Sequence, residues 1–312
     1  MVWLNLIEEH VEMKTSTKDC RLVFRITAFF AALVLAVSCS HKPEPVNENT
    51  AASQQPAGTG IEECLTKSPD DKQKIAVQKS LDQLRHARRA TESVMIDVAF
   101  HVLYKAPGAA NGEVDQATLN KQIDVLNAAY SGTPFKFRLA SVDKTLNVSW
   151  FNMVQDSADE VLAKSRLGIK RKEVLNFYTG GGGNWSTFPW DVSAELDLDG
   201  VVCTFSTLPG GSSSSNNEGD VAVHEVGHWL GLFHTFEGKC TADNDLVSDT
   251  PAEQIAATAN CPIGRDTCPG ASFPGLDPVT NYMDYGTDAC RKEFTSEQVS
   301  RMDAMHALYR KP

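Results

Sequence analysis

The sequence predicts an α/β domain whose C-terminal half is irregular, and three observations carry that prediction. Strand-like and helix-like segments alternate through the first part of the chain. A short apolar helix then carries a run of histidines. After it, residues 238 to 294 lose their periodicity and become rich in Gly, Pro, Asp and Cys. The composition permits such a fold, because 312 residues with 42% hydrophobic and 22% charged suffice for one sizeable core. A net charge of −11, with no basic stripe, argues against a nucleic-acid partner.

The elements follow in order. Residues Ile26 to Ser38 form a short apolar run preceded by Lys14, Lys18, Arg21 and Arg25, the charged and apolar regions of an export signal. The acidic stretch before Met13 is foreign to such a signal, which makes Met13 an alternative start. Cys39 follows small residues, as in the lipobox of bacterial lipoproteins, where the cysteine is acylated. Ala36-Val37-Ser38 also suits ordinary signal cleavage, so both a lipid anchor at Cys39 and release are open. The expected organisation is a signal over 1–39, a tether and propeptide over 40–92, and a catalytic domain over 93–312.

Residues 40 to 60 are rich in Pro, Ser, Asn and Gln and read as a flexible tether. A helix is expected from about Asp70 to Thr91, ending in Arg85, Arg88 and Arg89. Val94 to Tyr104 has the β-branched and aromatic richness of a strand. Leu119, Ile123, Leu126 and Tyr130 fall at helical spacing within residues 114 to 130. Strands are expected at Phe135 to Leu139, Val174 to Tyr178, Trp185 to Trp190 and Gly200 to Leu208. A Gly/Ser loop leads to a helix over Asp220 to Leu230. A last helix spans Thr295 to Tyr309, with Thr295 as N-cap and Glu297 in the first turn.

The run His224-Glu225-Val226-Gly227-His228-Trp229-Leu230-Gly231-Leu232-Phe233-His234 points to chemistry. Residues four apart share a helix face, so His224 and His228 can serve one metal. Gly231 can take positive φ, stop the helix and bring His234 round as a third nitrogen donor. Three neutral imidazoles leave one position open, the arrangement of a catalytic zinc. Such a zinc supplies Lewis acidity, and Glu225 beside it suits a general base.

Export permits disulfides. Cys20 lies in the signal and Cys39 at its end. Cys240, Cys261, Cys268 and Cys290 cluster after the histidines and suggest two bridges, for which spacing leaves three connectivities open. Cys203 lies in an apolar strand and reads as a buried thiol.

The extended histidine motif is the signature of the metzincins, and Asn281-Tyr282-Met283-Asp284-Tyr285 resembles their Met-turn. Together with the segment Asp245 to Pro251 and the stretch Asn281 to Cys290, the chain resembles the pappalysin family, above all its small microbial members. The resemblance implies a metzincin-like zincin: a twisted mixed sheet plus an active-site helix, with an irregular, disulfide-stapled C-terminal subdomain. It implies that Met283 forms an apolar floor under the ligands and that Tyr285 stabilises an oxyanion. It places Trp185 to Trp190 as the edge strand that binds an extended peptide. It also implies calcium at Asp245, Asp249 and Thr250, and the pairings Cys240–Cys268 and Cys261–Cys290. Relatives are made as zymogens, which implies that Cys64 occupies the open zinc position, although Glu62-Glu63-Cys64-Leu65 departs from the usual Arg/Cys/Gly pattern. Some relatives prefer basic side chains through an acidic residue after the Met-turn, here Asp288; the Arg-rich stretch at 85 to 89 would then be a self-cleavage site.

The expectation is therefore a monomeric zinc endopeptidase, secreted or held at the cell surface, acting on proteins or peptides. The competing reading is an exported, non-catalytic binding protein that metal only stabilises. The intact set of Glu225, three histidines and Tyr285 weighs against it.

Overall fold

The computed structural model describes residues 64–85, 93–193, 196–258 and 261–310. The expectations for the signal, Cys20, Cys39 and the tether, and for Arg88 and Arg89, lie outside the described residues. A five-stranded sheet organises the domain. Its strands are β1 (Val94–Tyr104), β2 (Phe135–Leu146), β3 (Val174–Gly180), β4 (Trp185–Ser186) and β5 (Val201–Thr204), in the order β2-β1-β3-β5-β4. β1 runs parallel to β2 and β3, and β3 parallel to β5. β4 pairs antiparallel with β5 and forms one edge.

The central strands are apolar because both sheet faces are covered. Successive residues point to opposite faces, so Val102, Phe177 and Val201 enter one cluster while Leu103, Tyr178 and Val202 enter another. Two helices cover the first face: α2 (Gln116–Ala129), through Leu119, Ile123 and Leu126, and α5 (Asp220–Trp229). The N-cap Asp115 accepts the Thr118 amide at 2.8 Å and fixes where α2 begins. The second face packs against Met153 and against Ala163 of α4 (Ala158–Leu167), which follows α3 (Val148–Phe151). α1 (Asp71–Arg85) buries Val77 and Leu81 against Phe188, Trp190, Phe233 and Met305 of α6 (Ser296–Met305).

The structure corrects several boundaries. The strand expected over Trp185 to Trp190 contracts to two residues. Pro189 has no amide to pair, and Phe188 and Trp190 stack on each other inside a core, 4.5 Å between ring centroids. β2 continues to Leu146, seven residues past the expected end, because a largely exposed edge strand needs no apolar alternation. α3 and α4 gave little periodic signal, since Val148, Val161 and Leu162 face solvent; in the structure the side chains of Asn147 and Ser157 cap them. α6 carries the expected Thr295 cap, completed by Gln298 three positions on, and passes into a wider turn over His306–Arg310.

Between Trp229 and Ser296 the described residues hold no regular element beyond an isolated bridge. Two disulfides staple this stretch, Cys240–Cys268 and Cys261–Cys290. Cys203 is buried in β5 and joins no disulfide.

Candidate metal centre

α5 is buried from Val221 to Trp229, so the groups it carries there are held with little freedom. His224 and His228 stand one turn apart on it. The helix ends at Gly231, whose φ of 93° is left-handed. A Cβ there would also meet Met305 Cγ at 2.6 Å, so glycine is required on two counts. Arg301 Nε of α6 donates to Gly231 O at 2.8 Å and clamps the reversal. The chain then returns His234 to the helix face. His228 Nε2 lies 3.1 Å from both His224 Nε2 and His234 Nε2.

The hydrogen bonds behind the rings decide what those nitrogens present. His224 Nδ1 donates to Tyr282 O and His228 Nδ1 to Leu232 O, each at 2.7 Å. Carbonyl oxygens only accept, so both rings carry their proton on Nδ1 and present a lone pair at Nε2. Lone pairs 3.1 Å apart repel unless a cation lies among them, and a neutral three-imidazole set suits zinc. Burial, followed by the neighbouring imidazoles for His224 and by His234 for His228, pushes both pKa values well down, favouring the neutral ligating form. His234 Nδ1 faces Glu237 Oε2 at 3.6 Å, and Lys74 of α1 holds that carboxylate at 2.9 Å. The Cys64 sulfur joins the three imidazoles, with one ligand atom from each of the four within 4.8 Å of the others.

Glu225 is fully buried beside these rings. Its Oε2 accepts from Thr66 Oγ1 at 3.0 Å, and the Cys64 thiol also interacts with the carboxylate. Burial raises its pKa to about 7. The Tyr285 hydroxyl stands 3.2 Å from His234 Nε2 and donates to Cys64 O at 3.1 Å. Met283 is inaccessible, its sulfur so close beneath Gly227 that a side chain there would collide with it. Leu65 N donates to Asn184 O at 2.7 Å and Ser186 N to Thr66 Oγ1 at 2.9 Å. Residues 64 to 66 thus lie along the β4 edge, in a parallel sense.

The remaining expected residues lie apart from this cluster. Asp288 Oδ2 accepts the Glu218 amide at 2.6 Å, and its own amide donates to Ser215 O at 3.3 Å, which ties the loop before α5 to the Met-turn segment. Asp245 and Thr250 are buried, and Asp245 Oδ1 accepts the Val247 amide at 3.1 Å. Asp249 is exposed and accepts the Glu297 amide at the start of α6, 3.0 Å away. Sequence reasoning missed Thr66 and Glu237. Neither belongs to a spacing pattern, and only the folded chain brings them to the histidines.

This geometry defines a class, the metal-dependent peptidases of the metzincin type, and comparison with known proteins narrows it. Residues 185–307 match the family model described as pregnancy-associated plasma protein-A. An extracellular metalloprotease of Pyricularia oryzae is 42% identical over 224 residues, 70% of this chain and 77% of that protein. One from Neurospora crassa is 37% identical over 281 residues, 83% of this chain and 95% of the other. Among solved structures, Tannerella forsythia promirolysin has a TM-score of 0.65 at 22% identity, covering 79% of this chain and 96% of its own. Mature mirolysin, solved with a cleaved peptide, has a TM-score of 0.58 at 26% identity, covering 72% and 100%. The chain belongs to the pappalysin family of metzincins, and it is a zinc metalloendopeptidase.

Proposed function

We propose that the protein is exported as a latent precursor and hydrolyses peptide bonds in proteins, with His224, His228 and His234 as zinc ligands. The observation that carries the proposal is the convergence of three Nε2 lone pairs beside the buried carboxylate of Glu225. Bound zinc supplies Lewis acidity toward the scissile carbonyl and toward water. Glu225 takes the proton of the attacking water and returns it to the leaving amine. The Tyr285 hydroxyl donates to the oxygen that gains charge, and Met283 fills the space beneath the ligands. The β4 edge takes an extended peptide by strand addition.

Latency is assigned to Cys64, supported by its sulfur lying with the three imidazoles and by residues 64 to 66 lying along the edge strand. The proposed division is a signal over 1–39, tether and propeptide over 40–92, and catalytic domain over 93–312. Export is supported by the extracellular relatives, and Cys39 is the residue that would carry a lipid anchor. Asp245 and Thr250, with Asp249 at their side, are assigned to calcium, a hard ion suited to oxygen donors.

The test is cleavage of denatured casein by wild type and Glu225→Ala, with and without a zinc chelator, after removal of the N-terminal segment. Cleavage by wild type alone, abolished by chelator, with one zinc in each protein, is the expected result. Zinc in both proteins and cleavage by neither would instead favour the non-catalytic binding protein.

A further inference from the structure

The Cys64 segment and α1 are two ends of one short stretch of chain. Thr66 accepts the Ser186 amide and donates to Glu225, and only residues 67 to 69 separate it from Asp70, which caps α1. The cap is reciprocal: Gln73 N donates to Asp70 Oδ1 at 2.8 Å, and Asp70 N to Gln73 Oε1 at 3.2 Å. Lys74 then reaches Glu237 at 2.9 Å, the carboxylate that faces His234. Gln78 Oε1 accepts at 3.2 Å from Nη1 of Arg301, whose Nε clamps Gly231. Val77 and Leu81, four apart on one helix face, are 4% and 1% exposed among Phe188, Trp190, Phe233 and Met305.

These four side chains form a groove that backs onto the metal centre, where the Phe188 ring meets His228 edge-on, 5.4 Å between centroids. The expected cut, in the basic run at 85 to 89, falls at or beyond the last residue of α1. Every contact just named is made by a residue before that cut and survives it. Cys64 joins no disulfide, so nothing covalent holds the segment once the chain is severed. The cut therefore breaks the chain without breaking the lock. Val77 and Leu81 leave the groove only at the cost of exposing apolar surface on both sides. While α1 stays seated, the short connection keeps Cys64 and Thr66 at high effective concentration over the metal centre.

We propose that the groove of Phe188, Trp190, Phe233 and Met305 retains α1 after the cut, so that the severed propeptide inhibits as a bound peptide until it dissociates. The ligand the groove recognises is an amphipathic helix with aliphatic residues at i and i+4 and a lysine at i−3. A helix of 15 residues is marginal in water on its own. The peptide therefore folds as it binds and gives up part of its contact energy to ordering, which makes the complex sensitive to dilution. The proposal rests on the reading of residues 40–92 as the propeptide of a peptidase.

The test uses the full chain with the recognition site of a sequence-specific protease inserted between Ala90 and Thr91. After the cut, gel filtration of a Glu225→Ala version, which cannot digest its own fragment, shows whether the N-terminal fragment stays with the rest. Initial casein rates are read on the version with Glu225 intact. At about 10 μM the fragment is expected to co-elute and the rate to match the uncut precursor; dilution to about 10 nM should raise the rate per molecule about tenfold or more. Val77→Asp combined with Leu81→Asp should release the fragment at the higher concentration, whereas Cys64→Ala should still retain it. If the paired aspartates prevent folding, Lys74→Ala with Gln78→Ala should move release to a several-fold higher concentration. A fragment that elutes apart from the otherwise unaltered chain would overturn the proposal, as would one that stays bound to a fully active protein. Retention unchanged in the α1 variants, or lost with the Cys64 thiol, would also overturn it. Zinc-loaded protein that is freed of the fragment and still cleaves no casein would overturn the peptidase reading, while elution would still decide whether the groove holds α1.

Discussion

The hydroxyl of Thr66 donates to Glu225 Oε2 at 3.0 Å and accepts the amide of Ser186 at 2.9 Å. One side chain, two residues beyond Cys64, therefore joins the proposed general base to the strand that would hold substrate. In the proposed precursor, a segment bonded in this way would compete with substrate for both.

Loss of the Cys64 thiol should weaken that competition. The full-length Cys64→Ala protein is expected to cleave casein before any maturation, at a rate well above full-length wild type. A fluorogenic casein assay on both precursors checks this, and equal latency would remove Cys64 from the lock.

Glu225→Ala should keep its zinc and lose cleavage by about 10²–10⁴-fold, the span of general acid–base catalysis. Metal analysis beside single-turnover rates separates the two effects. Loss of zinc along with activity would mean that the carboxylate serves to hold the metal.

Tyr285→Phe removes one donor and keeps the ring, which packs 5.0 Å from His234 and 4.9 Å from Phe236 between centroids. An oxyanion donor is worth about 10²–10³ in kcat, so kcat should fall on that scale with KM little changed. A change confined to KM would assign the hydroxyl to binding instead.

Asp245 is buried, and that burial lifts its pKa to about 8. Calcium is expected to raise the melting temperature of wild type and to leave Asp245→Asn unchanged. Scanning calorimetry with calcium and with a calcium chelator decides this, and equal responses would sink the assignment.

Glu253 is inaccessible; burial and then the neighbouring Asp284 hold its proton well above the ordinary carboxylate range. An acid with a raised folded pKa leaves the native chain binding more protons than the unfolded one. Its contribution is thus full below the unfolded value and is lost as pH rises toward the folded one. Glu253→Gln should therefore show a smaller fall in melting temperature between about pH 5 and pH 8 than wild type.

How much of this was legible depended on the range of the interaction. The histidine run could be read because a helix fixes its own geometry, and Gly231 announced the turn that returns His234. β1, β3 and α2 could be read because burial imposes a period on their residues. The partners of His224 and His228 were not, since the oxygens that orient them belong to Tyr282 and Leu232 and any residue has a carbonyl. Thr66 reaches Glu225 across 159 positions of sequence, where no period survives. Phe188 and Trp190 looked like strand because stacking and pleating call on the same aromatic residues.

The clamp on Gly231 makes the two ends of the chain unequal. α6 contributes no ligand, yet Arg301 and Met305 hold the bend on which the third imidazole depends. The front of the molecule carries the part that processing would discard. The back is a keystone: a stop codon one helix early would remove Arg301 and Met305 together and release the bend that returns His234.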